Sequence, residues 1–167
     1  MKIIVLRIIL IILIVMNFIT TFGFSGQSGT ESSGISSKVT LFILNIFGDY
    51  SEPLTEEQEQ FVETAEHIVR KLAHFSIYAI LGMLLMGLAS TYEIKNKWQI
   101  GTSLTVGILY AGLDEFHQSF IPGRTAMVLD VLIDTAGIIT GILIIFIITK
   151  IYNNYKRNKR TSKYDNI

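Results

Sequence analysis

The stretch Asp130-Val-Leu-Ile-Asp134-Thr-Ala-Gly-Ile-Ile-Thr-Gly141, which continues almost unbroken by polar side chains to Thr149, decides how this chain is read. About 20 apolar residues cross the hydrocarbon of a bilayer as a helix, and 127–148 is such a segment. Yet it starts with two aspartates four positions apart, on one helical face. A carboxylate at bilayer depth is costly, so it faces a protein interior and marks a site.

Working outward, the preceding apolar run, 98–116, closes on Asp114-Glu115-Phe-His117-Gln118. The run before it, 72–90, opens on Arg70-Lys71-Leu-Ala-His74. A first segment, 3–22, is nearly all Ile, Leu and Val. It exceeds the roughly 7–15 apolar residues of a secretory signal, and no A-x-A site follows, so an uncleaved helix is expected. The chain has 167 residues, half of them apolar, gathered into these blocks rather than spread as in a soluble core. The expected fold class is an all-α integral membrane protein with four transmembrane helices: a membrane domain at 1–150 and a basic cytoplasmic tail at 151–167. With no cysteine, disulfide and thiolate chemistry are excluded.

Net charge is zero, but the charges are sorted. Lys2 and Arg7, then Lys95 and Lys97, then Lys150, Lys156, Arg157, Lys159, Arg160 and Lys163 all fall on one side of a four-helix chain. The positive-inside rule makes that side cytoplasmic, with both termini inside. The outer loop, 23–69, collects the acids, among them Glu56, Glu57, Glu59, Glu63 and Glu66. The basic tail beside a membrane helix reads as a lipid and topology signal, so no nucleic-acid partner is expected. The expected location is the cell membrane, multi-pass, with lipids as partners.

Within the outer loop, the Gly- and Ser-rich stretch 23–37 reads as irregular or as a re-entrant turn. Residues 39–47 are too few to span and read as a short helix. Thr55 followed by Gln58 fits a capping box that starts an amphipathic helix. That helix continues or bends into the second span near Arg70-Lys71.

Helical spacing gathers polar residues at one end of three spans. Lys71, His74 and Tyr78 share a face, as do Asp114 and Gln118 with Gly107 and Ala111, and Asp130 and Asp134 with Gly137 and Gly141. Small residues four apart let backbones approach closely in lipid, so a tight apolar half and an open polar half are expected. Arg70, Lys71 and Arg124 are the cations available to bind an anion, with Tyr78, Asp114, Gln118 and Asp130 around them. Arg124 follows Pro122-Gly123, a turn that holds its planar fork near both helix ends and suits it to pair with Asp130 or Glu115. Glu115, Asp134 and His74 are the candidate catalytic acids and bases. Asp114, Glu115 and His74 lack a recognised metal spacing; there is no H-E-x-x-H and no G-x-S-x-G. No metal and no cofactor are therefore expected.

These residues form a pattern. Phe24-Ser-Gly-Gln-Ser28 with Ser32-Ser33, Arg70-Lys-Leu-Ala-His74 with Tyr78 and Leu81-Gly82, Asp114-Glu115-x-x-Gln118, Pro122-Gly-Arg124, Asp130, Asp134 and Gly137 occur in this order. The combination resembles the VanZ-like family of small bacterial membrane proteins, over roughly residues 18–145. Two departures are Ser25-Gly-Gln, where a serine pair before glutamine is common, and Ser28, where proline is common. The resemblance adds Ser25 and Gln27 to the candidate binding residues. It implies a link to glycopeptide (teicoplanin-type) resistance, a Gram-positive source and a role at the cell envelope. Two functions stand: a protein whose outward pocket holds an anionic envelope component, such as a phosphate-bearing lipid or cell-wall precursor, or an intramembrane hydrolase or transferase on a lipid-linked substrate. An ion-coupled transporter is less attractive, since no inverted repeat is evident.

Overall fold

The structure, a computed structural model, describes residues 1–27, 29–48, 50, 54–124 and 127–164, without the side chains of 29–33 and 160–164. The described residues form five helices: α1 (Lys2–Ser25), α2 (Gly29–Phe47), α3 (Glu56–Ser90), α4 (Asn96–Gln118) and α5 (Val128–Tyr164). Helices α1, α3 and α5 each have the length and apolarity to cross a membrane. This is an all-α membrane protein.

Helix α3 is the hub; it packs most extensively on α5 and also touches α1, α2 and α4. Glycine makes the α3–α5 seam. A side chain at Gly82 would strike the Ile138 backbone, one at Gly137 the Phe75 carbonyl, and one at Gly141 the Ala79 carbonyl. In lipid, neighbouring helices gain little from burying apolar surface, so this close backbone approach and the hydrogen bonds around it hold the bundle. Gly107 of α4 receives Ile138 in the same layer, with a would-be Cβ 2.8 Å from its methyl. The core around this seam comprises Tyr78, Leu81, Leu85, Met86, Ala111, Ile138 and Ile142, closed by Ile14 of α1.

Polar ties fix α1 along its length. Near its start, Arg7 donates to Thr91 Oγ1 at 3.0 Å and to the Thr91 carbonyl at 2.7 Å, with its guanidinium 3.9 Å over the Tyr92 ring. Further along, Asn17 donates to the Ile77 carbonyl and Tyr110 to the Phe18 carbonyl. The start of α1 thus lies beside the α3–α4 turn, and its end beside the α4–α5 turn.

Two sequence expectations change. Most of the stretch 23–37 is helical rather than irregular: Gly23–Ser25 complete α1, Gly26 and Gln27 turn away from it, and α2 begins at Gly29. Correspondingly, α2 is a 19-residue helix rather than a short one at 39–47. The reason lies in its inner face, where Ser36 and Thr40, four residues apart, are buried. Small polar residues that let a helix pack closely look the same in sequence as those that make a loop. The Thr55 capping box is present, with Thr55 Oγ1 accepting from the Gln58 backbone N–H and Gln58 Oε1 accepting from the Thr55 N–H. From there α3 runs 35 residues without interruption past Arg70-Lys71.

Candidate functional site

The α4–α5 connection sets the site. Ile121-Pro122-Gly123-Arg124 closes a turn in which the Arg124 N–H reaches the Ile121 carbonyl and Gly123 takes φ 76°. Proline and then a positive-φ glycine at the two central positions are the residues a type II turn demands. The turn aims Arg124 back across the end of α1. Its Nε donates to the Gln27 carbonyl (3.1 Å), one terminal nitrogen to the Phe24 carbonyl (3.0 Å) and the other to Gln118 Oε1 (3.1 Å). Carbonyls around a helix C-terminus carry the negative end of the dipole and have acceptor capacity left over, which suits them to a guanidinium. Burial, reinforced by Arg70, pulls the Arg124 guanidinium below the usual arginine range, while Asp114 and Glu115 act against it.

Arg124 therefore does not take the carboxylate partner expected for it. Asp130 pairs with Lys71 instead, at 3.0 Å, in a part-exposed bridge from α5 to α3. Glu115 accepts the Met127 N–H at 2.7 Å, just before α5 begins, where a carboxylate complements the helix dipole. The physical reason is that helix ends supply orphan donors and acceptors that compete with ion pairing.

Behind this layer sits Asp114, 3% exposed. Its Oδ2 accepts from Ser25 Oγ (2.8 Å), the Tyr78 hydroxyl (3.0 Å) and Gln118 Nε2 (3.1 Å), so α1, α3 and α4 meet on one oxygen. Gln118 also donates to Ser25 Oγ and accepts from Arg124, which links the buried network to the turn. Asp134 is 2% exposed, with His74 Nδ1 3.7 Å from its Oδ1.

A polar cavity of about 190 Å³ opens above these residues. Arg70, Lys71, His74, Gln118, Arg124 and Asp130 line it, and Asp134 forms part of its wall. A second cavity, about 300 Å³ and mostly apolar, lies between α1, α2 and α3, lined by Phe24, Ile35, Val39, Ala73 and Ile77. The two share Arg70, His74 and Arg124.

The same elements that make this geometry match a known family along their length. The VanZ/LLP1 family model covers residues 7–149, well over half of the chain. The chain belongs to the VanZ/LLP1 family. No curated protein and no solved structure matches it.

In this VanZ/LLP1 member, the sequence candidates divide by position. Arg70, Lys71, His74, Gln118, Arg124, Asp130 and Asp134 border the polar cavity. Ser25, Tyr78 and Asp114 form the buried network beneath, Gln27 borders the apolar cavity, and Glu115 lies outside both linings. Ser28 and the side chains of Ser32 and Ser33 lie outside the described residues. His67 lines the polar cavity and was not singled out from sequence; it sits one turn before Lys71 on α3, the signal that would have found it. His117, beside Gln118 in the same motif, stacks on Phe22 with centroids 4.2 Å apart.

Proposed function

We propose that this VanZ/LLP1 membrane protein holds an anionic amphiphile of the cell envelope, a phosphate-bearing lipid or lipid-linked cell-wall precursor, head in the polar cavity and chain in the apolar one. The supporting observation is that a cavity with three cationic side chains shares its wall with an apolar cavity. An amphiphile needs such a junction: charge-assisted donors for phosphate on one side and a greasy channel on the other. Arg124 spends three of its five N–H donors on the protein. The remaining two are available to a ligand.

On this reading the bundle crosses the membrane four times, α4 included. Helix α4 turns Ile108, Leu109, Leu113 and Phe116 outward and buries Ser103, Asp114 and Gln118, the distribution that suits lipid outside and protein inside. Both termini are cytoplasmic and the cavities open outward, in a membrane domain at 1–150 with a basic tail beyond. A Gram-positive cell membrane and a link to teicoplanin-type resistance enter with the family resemblance, as the setting in which such a ligand would be met. The runner-up is an intramembrane hydrolase or transferase on the same ligand class, favoured by the approach of His74 to Asp134 at the cavity wall.

Native mass spectrometry of protein purified in mild detergent tests the reading. The wild type should carry anionic lipid or undecaprenyl phosphate beyond its share of the membrane, and Arg124→Ala should carry less. Lipid in bulk proportion would sink the proposal. Release of inorganic phosphate from added undecaprenyl pyrophosphate would move the assignment to the hydrolase.

A further inference from the structure

Among the described residues, two of the buried side-chain atoms without a hydrogen-bond partner belong to carboxylates. Asp114 Oδ1 and Asp134 Oδ1 are both enclosed and neither has a hydrogen-bond partner. Their residues come from different helices, α4 and α5. With His74 of α3, the two aspartates each offer one ligand atom, and the three atoms lie within 4.8 Å of one another. Two carboxylates facing each other at this range in a low-dielectric interior repel unless a proton or a cation sits between them.

The surroundings favour a cation. The other oxygen of Asp114 is saturated by three donors, from Ser25, Tyr78 and Gln118. This holds the carboxylate in place beside His74 and Asp134 and leaves its other oxygen unspent, as where outer hydrogen bonds orient a metal-ligating carboxylate. Three neighbouring charged groups have other partners: Lys71 bridges to Asp130, Glu115 takes Met127, and Arg124 is drawn to α1 and Gln118. His74 and Asp134 also border the polar cavity, which gives an entry path and room for water at an open position.

We propose that His74, Asp114 and Asp134 form a binding site for one divalent transition-metal ion at the inner wall of the polar cavity. An imidazole nitrogen with two carboxylates suits Zn²⁺, Mn²⁺ or Fe²⁺ better than Mg²⁺ or Ca²⁺, which prefer oxygen alone. A tetrahedral ion with ligands at about 2.0–2.1 Å draws the three donors closer than they stand, a change within reach of side-chain rotation. Three protein ligands and one open position are the pattern of a reactive rather than a purely structural site.

The test uses the full chain in detergent without added lipid, so it does not depend on the amphiphile reading. Protein stripped with a chelator is dialysed against micromolar Zn²⁺ or Mn²⁺, and bound metal is measured by elemental mass spectrometry. About one ion per chain should remain, and metal should raise the unfolding temperature, because a ligand of the native state stabilises it. Asp114→Asn and Asp134→Asn should each weaken binding by about tenfold or more, with Glu59→Gln, on the exposed start of α3, as the control. Should the aspartate variants fail to fold, X-ray absorption of the wild type decides, since a shell of oxygen with one imidazole is expected. Less than about a tenth of an ion per folded chain, a metal shell without imidazole, or undiminished binding by folded aspartate variants overturns the site. The first of these outcomes would assign the pair a shared proton.

Discussion

Arg124→Lys separates two views of the turn between α4 and α5. Judged from sequence, lysine should keep the charge, preserve folding and lose only the forked recognition of a ligand. The structure gives arginine a further task. Its guanidinium spans three acceptors on two elements: the Phe24 and Gln27 carbonyls at the end of α1, and Gln118 Oε1 on α4, all at 3.0–3.1 Å. An ammonium is a point donor on a flexible stem and does not reproduce that fork. Retaining one bond and losing two is the expected outcome. Hydrogen bonds to charged groups contribute about 1.5–3 kcal/mol each. Arg124 is only part-buried, and solvent replaces some of each lost bond, so about 1 kcal/mol apiece is the better figure.

The total of about 2 kcal/mol corresponds to an unfolding temperature lower by roughly 4–8 °C for a chain of this size. Fluorescence-monitored unfolding in detergent measures it directly. A double-mutant cycle with Gln118→Ala should return a coupling of about 1 kcal/mol, because one of the bonds ends on that side chain. An Arg124→Lys protein that unfolds within about 1 °C of the wild type, with no coupling to Gln118, would refute the reasoning. Arg124 would then not fasten α1 to the turn, and its donors would all be free for a ligand.

Gly141→Leu should abolish the monodisperse folded fraction in size-exclusion chromatography, since any side chain there meets the Ala79 backbone across the α3–α5 seam and overpacking costs about 1–3 kcal/mol or more. Lys71→Ala should change stability by no more than about 1 kcal/mol, because its pair with Asp130 is about one third exposed on each side, while lowering retention of anionic lipid. For topology, an impermeant thiol reagent applied to intact cells should label Glu59→Cys and spare Asn154→Cys, and the reverse pattern would invert the bundle.

The apolar blocks and the aspartates at their ends were enough to foresee a helical membrane protein, because bilayer crossing demands length and excludes charge. The glycine seam was legible too: Gly137 and Gly141 sit four apart, and their spacing already implied close backbone approach. What the pattern concealed was pairing. Helical spacing places Arg124, Glu115 and Asp130 at one end of the bundle, but it does not show that the Phe24 and Gln27 carbonyls at the end of α1 outbid the acids for the guanidinium, or that the Met127 N–H claims Glu115. The helical character of 29–37 was hidden for a related reason. Serine and glycine serve both loops and tight interfaces, and only the partner surface on α3 distinguishes them.

Sorting the polar residues by what satisfies them leads to the chemistry. Arg124 and Glu115 serve helix ends, and Lys71 with Asp130 forms a wet bridge at the rim. Ser25, Tyr78 and Gln118 spend their donors on one oxygen of Asp114. Each of these groups has a structural partner whether or not a ligand ever arrives. Asp114 Oδ1 and Asp134 Oδ1 accept no hydrogen bond, with His74 Nδ1 3.7 Å from the latter, although burial of such an oxygen is among the costlier arrangements a protein can keep. Asn17 Oδ1, Thr40 Oγ1 and His117 Nδ1 are also enclosed without a hydrogen-bond partner, but among the described residues two buried carboxylates and a histidine come together where α3, α4 and α5 meet, and that is the place to test for a bound cation.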